Sequence, residues 1–140
     1  MNLRCPYCKQ WFEESRATLD RAVADGKVQR IIKLLDKDNI SLQRGNVMHE
    51  YISPDADKAL IQIQQAYDTQ DTWGDFELED VAKYAENTLH FEQQANRELQ
   101  QEIRNEADQA TIKFVPTVVI GEHIFDESID EATLTSYLTE

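Results

Sequence analysis

Cysteine, proline and glycine are all scarce in this 140-residue chain, at two, three and four residues. Two cysteines cannot build the disulfide framework of a small secreted domain. With so little glycine and proline there is no low-complexity tract or flexible linker, and no internal repeat is visible. No apolar run approaches the length of a membrane-spanning helix. Basic residues are also short: 14 Lys and Arg stand against 27 Asp and Glu, for a net charge of −13. Such a surface repels phosphate backbones and anionic lipid, which argues against nucleic-acid and membrane partners. Its plain reading is solubility. No basic stretch followed by an apolar one marks a leader peptide, so the chain as written is expected in the cytoplasm, or outside it if the true N-terminus lies upstream.

The composition that remains, 41% hydrophobic and 29% charged, suits one helix-rich domain with wet outer faces. Met1–Arg4 reads as the end of a strand. Trp11, Phe12, Ser15, Leu19, Ala22 and Val23 recur at helical spacing, and Gly26 stops the pattern, so Cys5 to about Ala24 is expected to be a helix. Val28–Leu35, rich in β-branched and apolar residues, reads as a strand. Further helices are expected over Ile40–Ile52, after a Ser53-Pro54 start, over Leu78–Leu89, and from Phe91 to about Asn105. Asp68–Asp75 reads as a loop carrying Trp73 as a lid on the helical layer. Phe114–Gly121 reads as a strand that turns at Gly121-Glu122 into His123–Phe125. A last helix follows, capped by Ser128 or Asp130.

Both cysteines fall within Leu3-Arg4-Cys5-Pro6-Tyr7-Cys8-Lys9. A thiolate is favoured by a helix N-terminus, nearby positive charge and partial exposure. Cys5 has all three in prospect, with Arg4 before it and Lys9 one turn on. Cys8 is expected deeper in the first turn. Cys5 is then the attacking thiol and Cys8 the resolving one, with Pro6 and Tyr7 tuning the pair. Two other readings stand beside this: buried inert cysteines, or half of a zinc site needing help from His49, His90 or His123. Pro116, entering a strand, marks an edge, a bulge or a cis peptide bond.

Cys5-Pro6-Tyr7-Cys8 together with Val115-Pro116-Thr117 and the following hairpin resembles the thioredoxin superfamily. The helical block in between resembles the insertion of its DsbA-like branch. The resemblance implies an α/β thioredoxin-like fold: residues 1–39 and 111–140 form its two parts, and residues 40–110 the all-helical insertion. It implies a thiol-disulfide oxidoreductase acting on protein or peptide thiols and disulfides, with no bound cofactor, re-reduced by glutathione or a thioredoxin-type reductant. Cys5 and Cys8 would be catalytic. Val115, the cis-proline Pro116 and Thr117 would form the substrate-binding loop, with Val115 offering backbone groups to an extended peptide. A glutaredoxin-like thiol transferase, for which Pro-Tyr is the commoner dipeptide, and a non-catalytic adaptor or redox sensor are the alternatives.

The chain departs from the family in one respect. Only Met1–Arg4 stand where a full central strand is expected before the cysteines, and no buried acidic residue lies on them. Two expectations follow: the true start lies upstream of Met1, or the domain works with a stub of a first strand, of which a homodimeric or strand-exchanged arrangement would be one consequence. Trp11 is a candidate for the rim of the site, Phe12 for the core, and Lys33 and Asp36 lie where a proton shuttle could stand.

Overall fold

The computed structural model describes residues 1–140. The longest element is α1, Pro6–Ala24. Proline is tolerated in its first turn, where the missing N–H would have had no helical partner. The chain reverses at Gly26, whose φ of 73° is open to glycine. After a 3₁₀ turn at Ile40–Leu42 come α2 (Gln43–His49), α3 (Ala56–Asp68), the short α4 (Gln70–Trp73), α5 (Leu78–Asn87) and α6 (Arg97–Gln109). The chain ends in the antiparallel hairpin β1 (Val118–Ile120) and β2 (His123–Phe125), then α7 (Glu131–Leu138). Asp130 caps α7, its carboxylate accepting from the Thr133 N–H at 2.7 Å. No helix is long and apolar enough to cross a membrane.

Several expected elements are altered, each for a local reason. Ser53 and Pro54 do not start a helix: the Ser53 hydroxyl accepts from the Asp55 N–H, and α3 begins only at Ala56. The residues after His90 are not helical until Arg97. His90 has a φ of 59°, and the segment is tied instead to the end of α2, with Gln94 N–H donating to the Glu50 carbonyl and Asn96 Nδ2 to that of His49. The expected loop at Asp68–Asp75 contains α4, and Trp73 is fully buried rather than a lid, its indole N–H donating to the Ala66 carbonyl. The strand expected from Phe114 begins at Val118, because the Val115–Pro116 peptide bond is cis and Thr117 Oγ1 turns back to the Phe114 carbonyl.

Val28–Leu35 forms no ladder. Half-buried and exposed residues nonetheless alternate strictly from Val28 to Lys33, the signature of an extended segment. One rung is made: the Met1 amino group donates to the Lys33 carbonyl, and the Leu35 N–H donates to the Met1 carbonyl. That two-bond pattern is a parallel pairing of Met1 with Leu34.

There are two cores. The larger joins Leu3, both cysteines, Phe12 and Leu34 to the helical block through Met48, Tyr67, Trp73 and Val81. Helices α2 to α5 thus share one continuous core with the cysteine-bearing helix. The smaller joins Trp11 and Ala22 of α1 to Leu134 and Leu138 of α7, with the hairpin alongside.

Candidate functional site: the thiol pair at the start of α1

Cys5 is the N-cap of α1, extended at φ −69° and ψ 121°, with no side-chain cap of its own. Its sulfur therefore lies beside main-chain N–H groups that no helical carbonyl reaches. The Cys8 thiol donates to the Cys5 sulfur, and the N–H groups of Cys8 and Tyr7 add to it; together they lower the Cys5 pKa from 9.0 to about 6, against burial and against the Glu127 carboxylate. Cys8 behaves oppositely. Burial, and the hydrogen it gives to Cys5, push its thiol far up. It is fully buried and accepts from the Asn2 N–H at 3.4 Å.

The positive charges expected to help Cys5 are turned elsewhere. Arg4 Nε donates to the Gly74 carbonyl at 2.5 Å, and its guanidinium pairs with Asp75. Lys9 faces Glu13 at 3.9 Å. Helix-terminal N–H groups and the partner thiol lower the pKa in their place. Cys5 is also less exposed than expected, at 5%, because the Val115–Pro116 turn covers it: its thiol lies 3.6 Å from the Val115 carbonyl oxygen, to which it donates. Pro116 is buried and follows the Val115 carbonyl that meets Cys5, whereas Tyr7, between the cysteines, is 58% exposed. Chain topology thus brings Cys5 against Val115, more than a hundred residues away, while Thr117 bonds back to the Phe114 carbonyl. Trp11 is not on the rim of this site; it is buried and packs edge-on against Phe125 at 5.8 Å.

A polar network behind the cysteines escaped the reading of the sequence. Asn2 is fully buried, and its Nδ2 donates to the Leu35 and Leu42 carbonyls and to Asn46 Oδ1. Its carbonyl accepts from the Tyr67 hydroxyl at 3.4 Å. Tyr67 lies close enough to both thiols for their charge to raise its pKa further, on top of burial. The Leu3 N–H donates to His49 Nε2 at 3.0 Å, which places the His49 hydrogen on Nδ1, donated to Asp36 at 2.7 Å. Burial lowers the His49 pKa against the pull of Asp36, so the imidazole stays neutral. Gln70 Nε2 donates to the Leu3 carbonyl, and Gln100 Nε2 to Asp36 and the Leu34 carbonyl. Asp36 is committed to this scaffold, and Lys33 pairs with Glu106. The available signal was polar residues on otherwise apolar helix faces, His49 and Gln100 among them.

For a metal, the arrangement offers only two sulfurs. No cluster of three His, Cys, Asp or Glu side chains is formed, and His123 stacks on Tyr137 and pairs with Glu140.

A solved structure described as a conserved protein of unknown function from Enterococcus faecalis V583 is similar to this chain, with 50% identity and a TM-score of 0.98 over all of this chain and 81% of that one. No curated protein matches. A family model described as Thioredoxin matches residues 1–140, and the chain belongs to that family.

Proposed function

We propose that this protein is a thiol-disulfide oxidoreductase of the DsbA-like kind, with Cys5 as nucleophile and Cys8 as resolving thiol. The observation that carries the reading is the inequality of the pair: Cys5 is poised as a thiolate near neutral pH while Cys8, one helical turn on, holds its proton. The Cys5 thiolate attacks one sulfur of a substrate disulfide. A mixed disulfide forms and the other substrate sulfur leaves as a thiolate, which takes up a proton. Cys8 then gives up its proton and attacks the Cys5 sulfur. This releases the second substrate thiol and leaves Cys5 and Cys8 joined as a disulfide. Two electrons have passed to the substrate, and a dithiol protein or two molecules of a small thiol such as glutathione restore the pair.

Val115 and Pro116 cover Cys5, so a substrate peptide must displace the contact between Cys5 and the Val115 carbonyl. Once Cys5 has ionised it has no hydrogen to give, and that carbonyl is freed for an N–H of the incoming peptide. The helical block resembles a DsbA-like insertion in its position between the two halves of the fold.

Turnover of insulin disulfides with glutathione as reductant tests the reading. Cys5→Ser should abolish turnover, and Cys8→Ser should accumulate a mixed disulfide on Cys5 visible as an added mass. Wild-type protein without any such turnover would overturn it.

A further inference from the structure

The cations next to Cys5 in the chain are both paired, Arg4 with Asp75 and Lys9 with Glu13. The acidic group near the sulfur comes from the other end of the sequence. Past the end of β2 at Phe125, Asp126 Oδ1 accepts from both the N–H and the hydroxyl of Ser128, a turn that fixes Glu127 in its middle. In the hairpin Val118 faces Phe125. The same antiparallel register carried two residues further sets Glu127 level with Pro116, which follows the Val115 carbonyl that meets the Cys5 thiol. Glu127 is half-buried and joins none of the chain's ion pairs. Of the charged side chains, it acts most strongly on the Cys5 sulfur. Two aromatic rings also stand open, one on each of the segments that meet at Cys5: Tyr7 is 58% exposed and Phe114 is 78% exposed. The face of such a ring attracts a cation and repels a carboxylate.

We propose that the thiol site selects its substrates by charge: it favours disulfides flanked by Lys or Arg, and Glu127 is the residue that decides. This selectivity rests on the thiol-disulfide chemistry proposed above and names its substrate class. A basic residue beside the substrate cysteine would meet the Glu127 carboxylate and an open aromatic ring as its sulfur reaches Cys5. An acidic residue there would meet like charge, with the neighbouring cations already paired. Complementarity of this kind acts on encounter and orientation, and so on rate. The net charge of −13 draws cations to the whole surface, whereas Glu127 acts at the sulfur. The reaction balances as before. The reduced pair passes two electrons to a peptide disulfide, Cys5 and Cys8 become joined, and two peptide thiols leave.

The test mixes the reduced 140-residue protein, at low salt, with the symmetrical disulfides of acetyl-Lys-Cys-Ala-amide and acetyl-Glu-Cys-Ala-amide. Alkylation and mass spectrometry follow the joining of Cys5 to Cys8. Each rate is divided by that of mercaptoethanol with the same disulfide, which removes the intrinsic reactivity of the peptide. The normalised rate should be about tenfold higher for the lysine peptide. Glu127→Gln should cut that preference by about threefold or more. The substitution also eases ionisation of Cys5, but this alters both rates together and cancels in their ratio. Asp57→Asn removes the same charge ten residues ahead of Tyr67 on α3, about 15 Å along the helix. It should leave the preference within a factor of about 1.5. Equal normalised rates in wild type, a preference that survives Glu127→Gln, or one that Asp57→Asn reduces as much would each overturn the selection and leave the thiol chemistry standing. If neither peptide oxidises the pair, the thiol chemistry falls and the selection falls with it.

Discussion

The two sides of Met1–Arg4 are built on different principles. Towards the helical block, side chains take the place of a neighbouring strand. His49 and Gln70 hold the N–H and carbonyl of Leu3, Tyr67 reaches the carbonyl of Asn2, and the Asn2 side chain bridges to Leu35 and Asn46. With the single rung to Lys33 and Leu35, every main-chain group from Met1 through Leu3 has a partner, and no buried side-chain nitrogen or oxygen is left without one. Towards β1, Val28–Lys33 makes no ladder, and Ile31 and Val119 stay exposed. The difference teaches where the rigidity of the thiol site comes from. Cys5 and Cys8 are held from the helical side, by fixed polar ligands behind the segment that carries them.

The largest break in that comparison should come at Gly45 on α2. A Cβ there would stand 1.9 Å from Asn2 Oδ1 and 2.8 Å from the Arg4 nitrogen, so α2 can approach the segment only as glycine. Gly45→Ala is expected to cost about 3 kcal/mol, as overpacking of a rigid polar contact does. Ile31→Thr on the open side should shift stability by no more than about 0.5 kcal/mol. Urea unfolding followed by circular dichroism measures both. Equal losses would mean that the two sides are built alike.

His49→Ala comes next. It leaves the buried Leu3 N–H and the Asp36 carboxylate short of a partner, at a cost of about 2 kcal/mol. The same residue gives stability a pH dependence. Burial lowers the folded-state pKa of His49 below 6.5, so below that pH the unfolded chain binds the proton that the folded one refuses. Stability should fall as pH drops through 6.5, by at most about 1.4 kcal/mol per pH unit from this group, until the folded-state pKa is reached. Above 6.5 the histidine contributes no slope. His49→Gln keeps an acceptor for Leu3 and removes the titration. Unfolding midpoints at pH 7.5 and 5.5 should lie closer together in that variant than in wild type, and an unchanged gap would assign the slope to other groups.

What the sequence disclosed divides along the same line. The thiol pair, Pro116, α1 and the hairpin were legible because each rests on local chemistry: a Cys-x-x-Cys spacing, a proline entering a strand, an apolar face at helical period, Gly121 at a turn with φ 60°. The thioredoxin-like fold with its helical block followed from their combination. Val28–Leu35 was legible as an extended segment but not as a strand without a ladder, since the ladder depends on a neighbour that propensity does not report. The network of Asn2, His49, Gln70 and Gln100 was hidden, because each of these side chains serves backbone far away in the chain, and only the fold states the pairing.

The thiol pair itself sharpens the comparison further. Because the Cys8 thiol is the largest influence lowering the Cys5 pKa, Cys8→Ala should raise the pH midpoint of Cys5 alkylation from about 6 by about one pH unit, near 1.4 kcal/mol. Iodoacetamide labelling rates between pH 4 and 9, read by mass spectrometry on Cys5, measure this. A midpoint left at its wild-type position would shift the credit from Cys8 to the N–H groups at the start of α1.

The smallest effect is expected where sequence reasoning places a large one. Arg4 adjoins Cys5 in the chain, and a free guanidinium there would favour the thiolate. Its charge is instead spent on the Gly74 carbonyl and the Asp75 carboxylate. Asp75 is itself largely exposed, so solvent and the opposite charge together reduce what reaches the sulfur. Arg4→Ala should therefore leave the alkylation midpoint of Cys5 within about 0.3 pH units of wild type, a shift worth no more than about 0.4 kcal/mol. It should still cost about 1 kcal/mol of stability through the lost bond to Gly74. Stability and thiol acidity would then move separately at this position, whereas Cys8→Ala moves thiol acidity directly. A rise in the Cys5 midpoint of one pH unit or more in Arg4→Ala would return Arg4 to the thiol site and make adjacency in sequence, rather than the turn towards Gly74, the deciding fact.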